Sequence, residues 1–220
     1  MKYIDYKIYN GKKNMEIDSQ LLDDAINNCV KDPIFRLYGW EPACISLGRN
    51  QKEDFLDTDF LKSKNIDVVR RLTGGRALLH HDEITYSFVC PTTYLKKGES
   101  VIESYKEISQ IFIKAFKNLN IDLDFGTSKP IKTGFDYCML ISTGADLCFD
   151  NKKLIGSAQC RKNGYILQHG SILYDYDKKL LEEIFKEEIK TDEITSIKEI
   201  NENISREDII NILSESMSNN

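Results

Sequence analysis

Short strand-like runs separated by turn residues recur along this chain, and they constrain its fold more than any other feature. In the N-terminal half the runs are Tyr3–Tyr9, Phe35–Trp40, Cys44–Leu47, Val68–Leu72, Ala77–His80 and Ile84–Cys90. Further runs follow at Phe135–Leu140, Ala145–Phe149, Lys153–Gly156 and Gly164–Asp175. Because many of the connections are short turns, neighbouring strands are expected to pair antiparallel. The pattern predicts an α/β fold of the α+β type, with a mixed, largely antiparallel central sheet.

Amphipathic helices are expected to flank this sheet. Apolar residues recur at helical spacing within Asn14–Val30, Asp57–Lys64, a segment that begins at Ser100, Leu180–Ile189, and a segment that begins near Ser205. The third of these opens with a capping box, Ser100-x-x-Glu103. No repeat or linker interrupts the chain. We therefore predict a single domain over residues 1–220, with a C-terminal helical segment at about 178–220.

Composition and charge narrow the class of protein. The net charge of −5 argues against a nucleic-acid binder held by phosphate contacts. No stretch reaches the roughly 20 apolar residues needed to span a bilayer, and the N-terminus lacks an apolar signal-peptide core. The six cysteines are scattered, without a Cys-x-x-Cys pair, which is typical of free thiols in a reducing compartment. The expected location is the cytoplasm, with no membrane and no nucleic-acid partner.

A glycine turn between two strand-like runs is the first candidate site. Thr73-Gly74-Gly75 can turn tightly and direct backbone N–H groups towards an anion. Three arginines flank the turn: Arg70, Arg71 and Arg76. They could neutralise a carboxylate or a phosphate. The alternative is an ordinary Gly-Gly hairpin without a ligand.

Two adjacent histidines, His80 and His81, do not form a metal site. Neighbouring strand residues point to opposite faces, so the two rings cannot bind one ion. No further His or Cys follows at ligand spacing. One imidazole is expected to face the candidate site, and the other to face solvent or the core.

A second candidate site lies between Cys138 and Ser171. Lys153 is expected to share a strand face with Ile155, and an inward lysine needs an anionic partner such as a carboxylate or thiolate. Small residues follow it, where a ligand or another backbone can pass closely: Gly156, Ser157 and Ala158. Spacing alone favours a buried structural cysteine at Cys138 over a catalytic one.

Several blocks of the sequence resemble the biotin/lipoate protein ligase and transferase superfamily, with the closest likeness to the cysteine-dependent octanoyltransferases of lipoate synthesis. The blocks are NMEIDSQLL from Asn14, FRLYGWEPACISLG from Phe35, RRLTGGR from Arg70, KLIGSAQ from Lys153 and ILQHGSIL from Ile166. They occur in the family's order over about positions 2 to 175. The resemblance implies a biotin/lipoate ligase-like catalytic domain.

The same resemblance implies roles for individual residues. The lysine of the KLIGSA block, Lys153, would sit at the reacting carbonyl, and Cys138 matches the upstream cysteine that carries the acyl group. The family's aromatic and proline residues are replaced here over positions 141–144. Residues implied to line the acyl-substrate pocket are Trp40, Arg71, Thr73, Gly74, Gly75, Arg76, His80, Gly156, Ser157 and Ala158. We also expect Leu79 to join Trp40 in holding the acyl chain.

Three features favour the transferase branch of the superfamily over the ATP-dependent ligases. Arg76 stands where ligases usually have a third glycine, Cys138 is present, and the sequence ends without an accessory domain. The sequence also ends earlier than the octanoyltransferases do, which leaves open whether a final helix of the family is missing from it. The expected reaction moves octanoyl from acyl carrier protein to a lysine on a lipoyl domain, such as a glycine cleavage H protein or a 2-oxoacid dehydrogenase subunit. No cofactor is needed for it.

Three alternatives remain open at this stage. The first is a lipoate–protein ligase, which would need ATP and Mg. The second is an amidotransferase that relays octanoyl between two lipoyl domains. The third is a binding module that has kept the fold without the chemistry.

Overall fold

A computed structural model describes residues 1–126, 136–140 and 146–218 of the chain. The strands in these ranges are β1 (Lys2–Tyr9), β2 (Ile34–Trp40), β3 (Cys44–Leu47), β4 (Asp67–Arg70), β5 (Leu78–His80), β6 (Glu83–Pro91), β7 (Asp124–Phe125), β8 (Leu147–Phe149), β9 (Lys152–Lys162) and β10 (Tyr165–Leu173). The helices are α1 (Gly11–Asn27), α2 (Thr58–Ser63), α3 (Val101–Lys117), α4 (Lys178–Phe185), α5 (Ile197–Ile200) and α6 (Arg206–Ser218).

Two sheets form the centre of the molecule. The larger has the strand order β1-β2-β6-β10-β9-β8-β7, and the smaller has the order β4-β3-β5. The pairs β1–β2 and β3–β4 are parallel, and every other pair is antiparallel. The prediction of a mixed, largely antiparallel sheet is therefore confirmed. Since β3 lies between β4 and β5, the Gly-Gly segment that joins those two strands is not a hairpin.

Helix α3 covers one face of the large sheet. Its N-cap is Ser100, whose hydroxyl accepts the backbone N–H of Glu103. Only this half of the predicted capping box forms, because the Ser100 N–H donates to the Lys97 carbonyl and not to the Glu103 side chain. The helix buries Phe112 against the sheet, with ring centroids 4.3 Å from Tyr86 and 6.2 Å from Phe35. Burial of an aromatic ring of this kind stabilises the fold by about 1.5–3 kcal/mol. The apolar stripe thus fixes this helix on the sheet.

Helix α1 carries polar residues into the interior. It begins at Gly11, three residues earlier than the sequence predicted, because Asn10 caps it by accepting the backbone N–H of Lys13. Asn14 and Asp18 lie on its buried side. The Asn14 side chain donates to the Gly39 carbonyl at 2.9 Å. A polar helix face is thereby held against the end of β2.

Two further segments depart from the sequence predictions. A short 3-10 turn occupies Cys138–Leu140, where a strand was expected. The C-terminal segment contains α4, α5 and α6 in place of two longer helices, because Lys186 adopts a left-handed conformation that ends α4. None of the helices in the described residues combines the length and the apolar character needed to cross a membrane.

Candidate active site

A narrow cleft lies where the small sheet meets the large one. Its walls include eight of the residues predicted for the site: Trp40, Arg71, Gly75, His80, Cys138, Gly156, Ser157 and Ala158. Four other predicted residues do not line the cleft: Thr73, Gly74, Arg76 and Lys153. The fold therefore brings the two candidate sites of the sequence into one cleft.

Cys138 is held at the cleft wall by both sides of its peptide backbone. Its N–H donates to the Ala77 carbonyl at 2.8 Å, and its carbonyl accepts a hydrogen bond from Lys153 Nζ at 3.2 Å. An isolated bridge pairs Ala77 with Tyr137, the preceding residue. The cysteine itself is half-buried. Its backbone is thus anchored in position while the residue stays partly accessible.

Lys153 lies behind Cys138 and pairs with a carboxylate. Its side chain is 2% exposed, and its Nζ lies 3.1 Å from Asp146 Oδ2. Burial opposes the charge on this ammonium group, but Asp146 and then Cys138 outweigh that penalty and raise the pKa of Lys153. The group is therefore a fixed cation. Asp146 is the anionic partner that the sequence predicted for an inward lysine.

A local irregularity of β9 brings Lys153 towards Gly156. The pairing of β8 with β9 shifts register at Leu147 and Cys148, so the simple alternation predicted around Ile155 does not hold there. A Cβ on Gly156 would lie 3.0 Å from Lys153 Cε and 3.0 Å from Met139 Sδ. The glycine leaves room for the lysine head beside Cys138.

Arg71 uses all five of its N–H groups within the protein. The partners are the Thr73 hydroxyl at 3.1 Å, the Ser46 carbonyl at 2.7 Å, the Ser46 hydroxyl at 3.2 Å, the Gly74 carbonyl at 2.9 Å and the Arg76 carbonyl at 2.7 Å. Burial lowers the pKa of Arg71, although an arginine stays charged at any ordinary pH. This saturated guanidinium fixes the glycine turn, whereas the sequence suggested a free anion ligand.

Only the second glycine of the turn needs its lack of a side chain for conformation. Gly75 has φ +95°, and a Cβ there would lie 2.9 Å from Arg71 Nη2. Nothing lies within 4 Å of the corresponding position on Gly74. The turn is also pinned from outside, because a Cβ on Gly48 would collide with the Gly75 carbonyl.

The other two arginines beside the turn, Arg70 and Arg76, have different neighbours. Arg70 donates to the carbonyls of Gly48 and Gln51, so it braces the neighbouring loop. Arg76 lies near Glu187, where burial raises the pKa of that carboxyl group and the arginine partly offsets the shift. The turn is therefore braced by Arg70 and Arg71, while Arg76 lies beside a carboxylate.

Trp40 and His80 form the aromatic part of the cleft. Their rings stack with centroids 3.9 Å apart, and the indole N–H donates to the Thr85 hydroxyl at 2.7 Å. Leu78, rather than the expected Leu79, lines the cleft beside them, as alternation along β5 requires. The neighbouring His81 side chain is 46% exposed, so the two histidines do point to opposite faces. In the described ranges no group of three or more His, Cys, Asp or Glu residues is placed to hold a metal ion.

Sequence reasoning missed several buried polar residues at this site. They are Asp18, Arg36, Ser46, Glu83 and His169. Arg36 pairs with Asp18 at 2.8 Å, and both side chains are 2% exposed. The available signal was a polar side chain within an otherwise apolar strand or, for Asp18, on the apolar face of helix α1, since buried polar groups persist only when they are hydrogen-bonded.

A family model described as "Lipoyl protein ligase A/B catalytic domain" matches residues 10–218. This span includes Cys138, Lys153 and the glycine turn. The chain belongs to this family. The resemblance predicted from the sequence is thereby confirmed.

Relatives of this member of the lipoyl protein ligase A/B family include two proteins named octanoyltransferase LipM. The protein from Clostridioides difficile (strain 630) is 39% identical over 189 residues, which cover 84% of this chain and 68% of that protein. The protein from Staphylococcus aureus (strain NCTC 8325 / PS 47) is 40% identical over 185 residues, which cover 78% of this chain and 64% of that protein. The chain thus spans about two thirds of the length of these relatives.

The fold has a solved counterpart. The crystal structure of a lipoate-protein ligase A bound with ATP superimposes with a TM-score of 0.78 at 18% identity, covering 99% of this chain and 84% of that one. At this identity the likeness establishes the fold alone. The prediction of a lipoate ligase-like catalytic fold is confirmed.

Proposed function

We propose that this protein is an octanoyltransferase of lipoate biosynthesis, which moves octanoyl from a carrier thioester to a protein lysine through Cys138. The observation that carries the proposal is the half-buried Cys138, fixed at the cleft wall beside the Lys153 cation. The relatives named octanoyltransferase, at 39–40% identity, support the same activity. Acyl carrier protein is the proposed donor and a lipoyl domain the proposed acceptor, both in the cytoplasm.

The first half-reaction forms an acyl-enzyme. The Cys138 thiolate attacks the thioester carbonyl of the donor, and collapse of the tetrahedral intermediate expels the carrier thiolate, which takes up a proton. A nearby cation favours the thiolate form of a cysteine. Backbone N–H groups at Gly74-Gly75 or Gly156-Ser157 are the proposed donors to the oxyanion.

The second half-reaction forms the amide. The acceptor lysine attacks the Cys138 thioester as a neutral amine, the C–N bond forms, and the C–S bond breaks to return the thiolate. The nitrogen releases one proton to solvent. Since the pKa of Lys153 is raised by Asp146, this residue stabilises the anions and does not accept that proton. A thioester is converted to a more stable amide, so the reaction needs no ATP.

The apolar part of the cleft suits an acyl chain. Trp40, Leu78 and Met139 contribute to its lining. Burial of each additional CH₂ is worth about 0.8 kcal/mol, so chain-length selection depends on how many methylenes this cleft can cover. The proposed discrimination between octanoyl and shorter chains is therefore graded.

Intact-protein mass spectrometry tests the proposal. The protein is mixed with octanoyl-loaded acyl carrier protein without nucleotide, and a mass gain of one octanoyl group is expected. The Cys138→Ser variant should lose this thioester adduct, whereas Cys160→Ser, a change at another half-buried cysteine, should retain it. Full transfer by Cys138→Ser would remove the covalent route. ATP–pyrophosphate exchange that depends on free lipoate would instead identify a ligase.

A further inference from the structure

Two hydrogen-bonded chains of the same chemistry converge on Arg71. Each chain runs from the guanidinium to a hydroxyl, then to an imidazole and finally to a buried carboxylate. One chain reaches helix α1 and the other reaches strand β6. Neither histidine is needed for the thioester chemistry proposed above, and both line the cleft.

The first chain passes through Thr73 and His169. Arg71 Nε donates to Thr73 Oγ1 at 3.1 Å, and that oxygen lies 2.6 Å from His169 Nε2. His169 Nδ1 lies 3.2 Å from Asp18 Oδ2. Asp18 in turn accepts hydrogen bonds from Arg36 at 2.8 Å and from the Tyr38 hydroxyl at 2.7 Å. The chain is thus anchored on a fully buried ion pair.

The second chain passes through Ser46 and His80. Arg71 Nη1 donates to Ser46 Oγ at 3.2 Å, and that oxygen lies 2.8 Å from His80 Nε2. His80 Nδ1 lies 3.2 Å from Glu83 Oε1. Glu83 also accepts hydrogen bonds from the Thr85 hydroxyl at 2.6 Å and the Ser171 hydroxyl at 2.7 Å. The order of chemical groups matches the first chain.

The two ends of each chain fix the direction of its hydrogen bonds. A guanidinium can only donate and an ionised carboxylate can only accept. Each hydroxyl therefore receives an N–H from Arg71 and can give its own hydrogen to the imidazole Nε2, while Nδ1–H donates to the carboxylate. Both rings then share one tautomer, with the proton on Nδ1. Two carboxylates thereby orient the hydroxyl groups that hold one arginine.

We propose that Thr73–His169–Asp18 and Ser46–His80–Glu83 are paired positioning relays, which hold Arg71 and, through it, the glycine turn in the geometry that Cys138 needs for acylation. Arg71 Nη2 donates to the Gly74 and Arg76 carbonyls, and the following residue, Ala77, accepts the Cys138 N–H at 2.8 Å. The relays are thus connected to the nucleophile through one short stretch of backbone. The effect of the relays on catalysis rests on the proposed octanoyl transfer. The direction of the hydrogen bonds within each relay does not depend on that function.

The first test is structural and independent of activity. The chain has three histidines, so the ring nitrogens of the ¹⁵N-labelled full-length protein can be assigned by long-range ¹H–¹⁵N correlation. His80 and His169 should both be protonated on Nδ1 in the neutral ring. Protonation of either buried ring on Nε2 would overturn the relay order, whatever reaction the enzyme catalyses.

The second test breaks one relay without removing its ring. Thr73→Val keeps the shape of the side chain but removes the hydroxyl, while Thr73→Ser keeps the hydroxyl. Because a small displacement at a reacting centre can cost about 100-fold in rate, Thr73→Val should slow single-turnover acylation of Cys138 by roughly that factor. It should also alter the His169 tautomer signal. Thr73→Ser should recover most of the rate and the wild-type signal.

A matched control separates positioning from general loss of stability. Thr92 is also a buried threonine, and its hydroxyl donates to Glu99 at 2.8 Å, outside both relays. Thr92→Val should leave the acylation rate and both histidine signals unchanged. If Thr73→Val does not fold, Ser46→Ala tests the other relay by the same measurements. Wild-type acylation by a folded relay variant would overturn the positioning role, whereas an inactive wild-type protein with Nδ1-protonated rings would refute only the proposed function.

Discussion

Arg71 and Lys153 are two buried cations beside the same cysteine, and the protein accommodates them in different ways. Arg71 follows β4 of the small sheet, and Lys153 belongs to β9 of the large one. Lys153 pairs directly with Asp146 at 3.1 Å. Within the described residues the hydrogen-bond partners of Arg71 are neutral oxygens. Each of its two hydrogen-bonded chains reaches a carboxylate, Asp18 or Glu83, only beyond a hydroxyl and an imidazole.

The difference has an electrostatic consequence. Burial lowers the pKa of Arg71, whereas Asp146 overcomes burial and raises the pKa of Lys153. Much of the Lys153 charge is balanced locally, while that of Arg71 is screened mainly through dipoles. We therefore expect Lys153 to matter both for stability and for the thiolate, and Arg71 to matter chiefly for the shape of the site.

The largest effect on stability should come from breaking the direct ion pair. Lys153→Met removes the ammonium from Asp146, and loss of one member of a buried pair costs about 3–5 kcal/mol. Adding Asp146→Asn to this variant should restore much of the free energy of unfolding, because the buried charge is removed as well. Urea unfolding measures both changes. Lys152→Met, at the half-buried neighbouring position, should stay within about 0.5 kcal/mol of wild type.

The arginine should respond to a change of geometry even when its charge is kept. Arg71→Lys retains the cation but cannot satisfy three carbonyls and two hydroxyls with one ammonium group. We expect kcat/KM for octanoyl transfer to fall about 100-fold, as for other small misplacements of catalytic geometry. Arg49→Lys, an exposed arginine beside the same turn, should have little effect. Equal rates for Arg71→Lys and wild type would show that charge alone suffices.

The two glycines of the turn held by Arg71 allow a matched comparison, in which each is replaced by alanine and so gains one methyl group. Gly75→Ala forces a side chain into φ +95° and towards Arg71 Nη2, which should destabilise the protein by about 1–3 kcal/mol and slow transfer. Gly74→Ala meets no atom within 4 Å and should cost no more than about 0.5 kcal/mol. Thermal unfolding and turnover of the two variants compare them directly. Similar losses in both would contradict the assignment of strain to Gly75.

The sequence predicted the lysine better than the arginine, for a physical reason. A buried lysine on a strand requires an anionic partner nearby, so its environment follows from burial, even though the register shift in β9 breaks the predicted alternation. The partners of Arg71 come from β3 and from its own loop, and this arrangement depends on β3 lying between β4 and β5. Pairing order is a tertiary property that local patterns do not contain. The role of His169 could not be predicted for the same reason, because its partners Thr73 and Asp18 lie 96 and 151 residues away in the sequence.

The smallest effect is expected in the pH dependence of the free energy of unfolding. Of the two buried cations, only Lys153 loses its proton in alkaline solution, because Arg71 stays charged. Because the folded pKa of Lys153 is raised above its ordinary value of 10.5, its contribution to stability is complete below that pH and is lost as the pH rises through the folded pKa. In Asp146→Asn, burial remains without the carboxylate, so the folded pKa should fall below 10.5 and the sign should reverse. The difference in unfolding free energy between the two proteins should then narrow with rising pH, by about 1.4 kcal/mol for each unit by which the folded pKa changes. Taking this difference cancels the titration of the tyrosines common to both proteins. A difference that stays constant from neutral to alkaline pH would mean that Asp146 does not sustain the charge on Lys153.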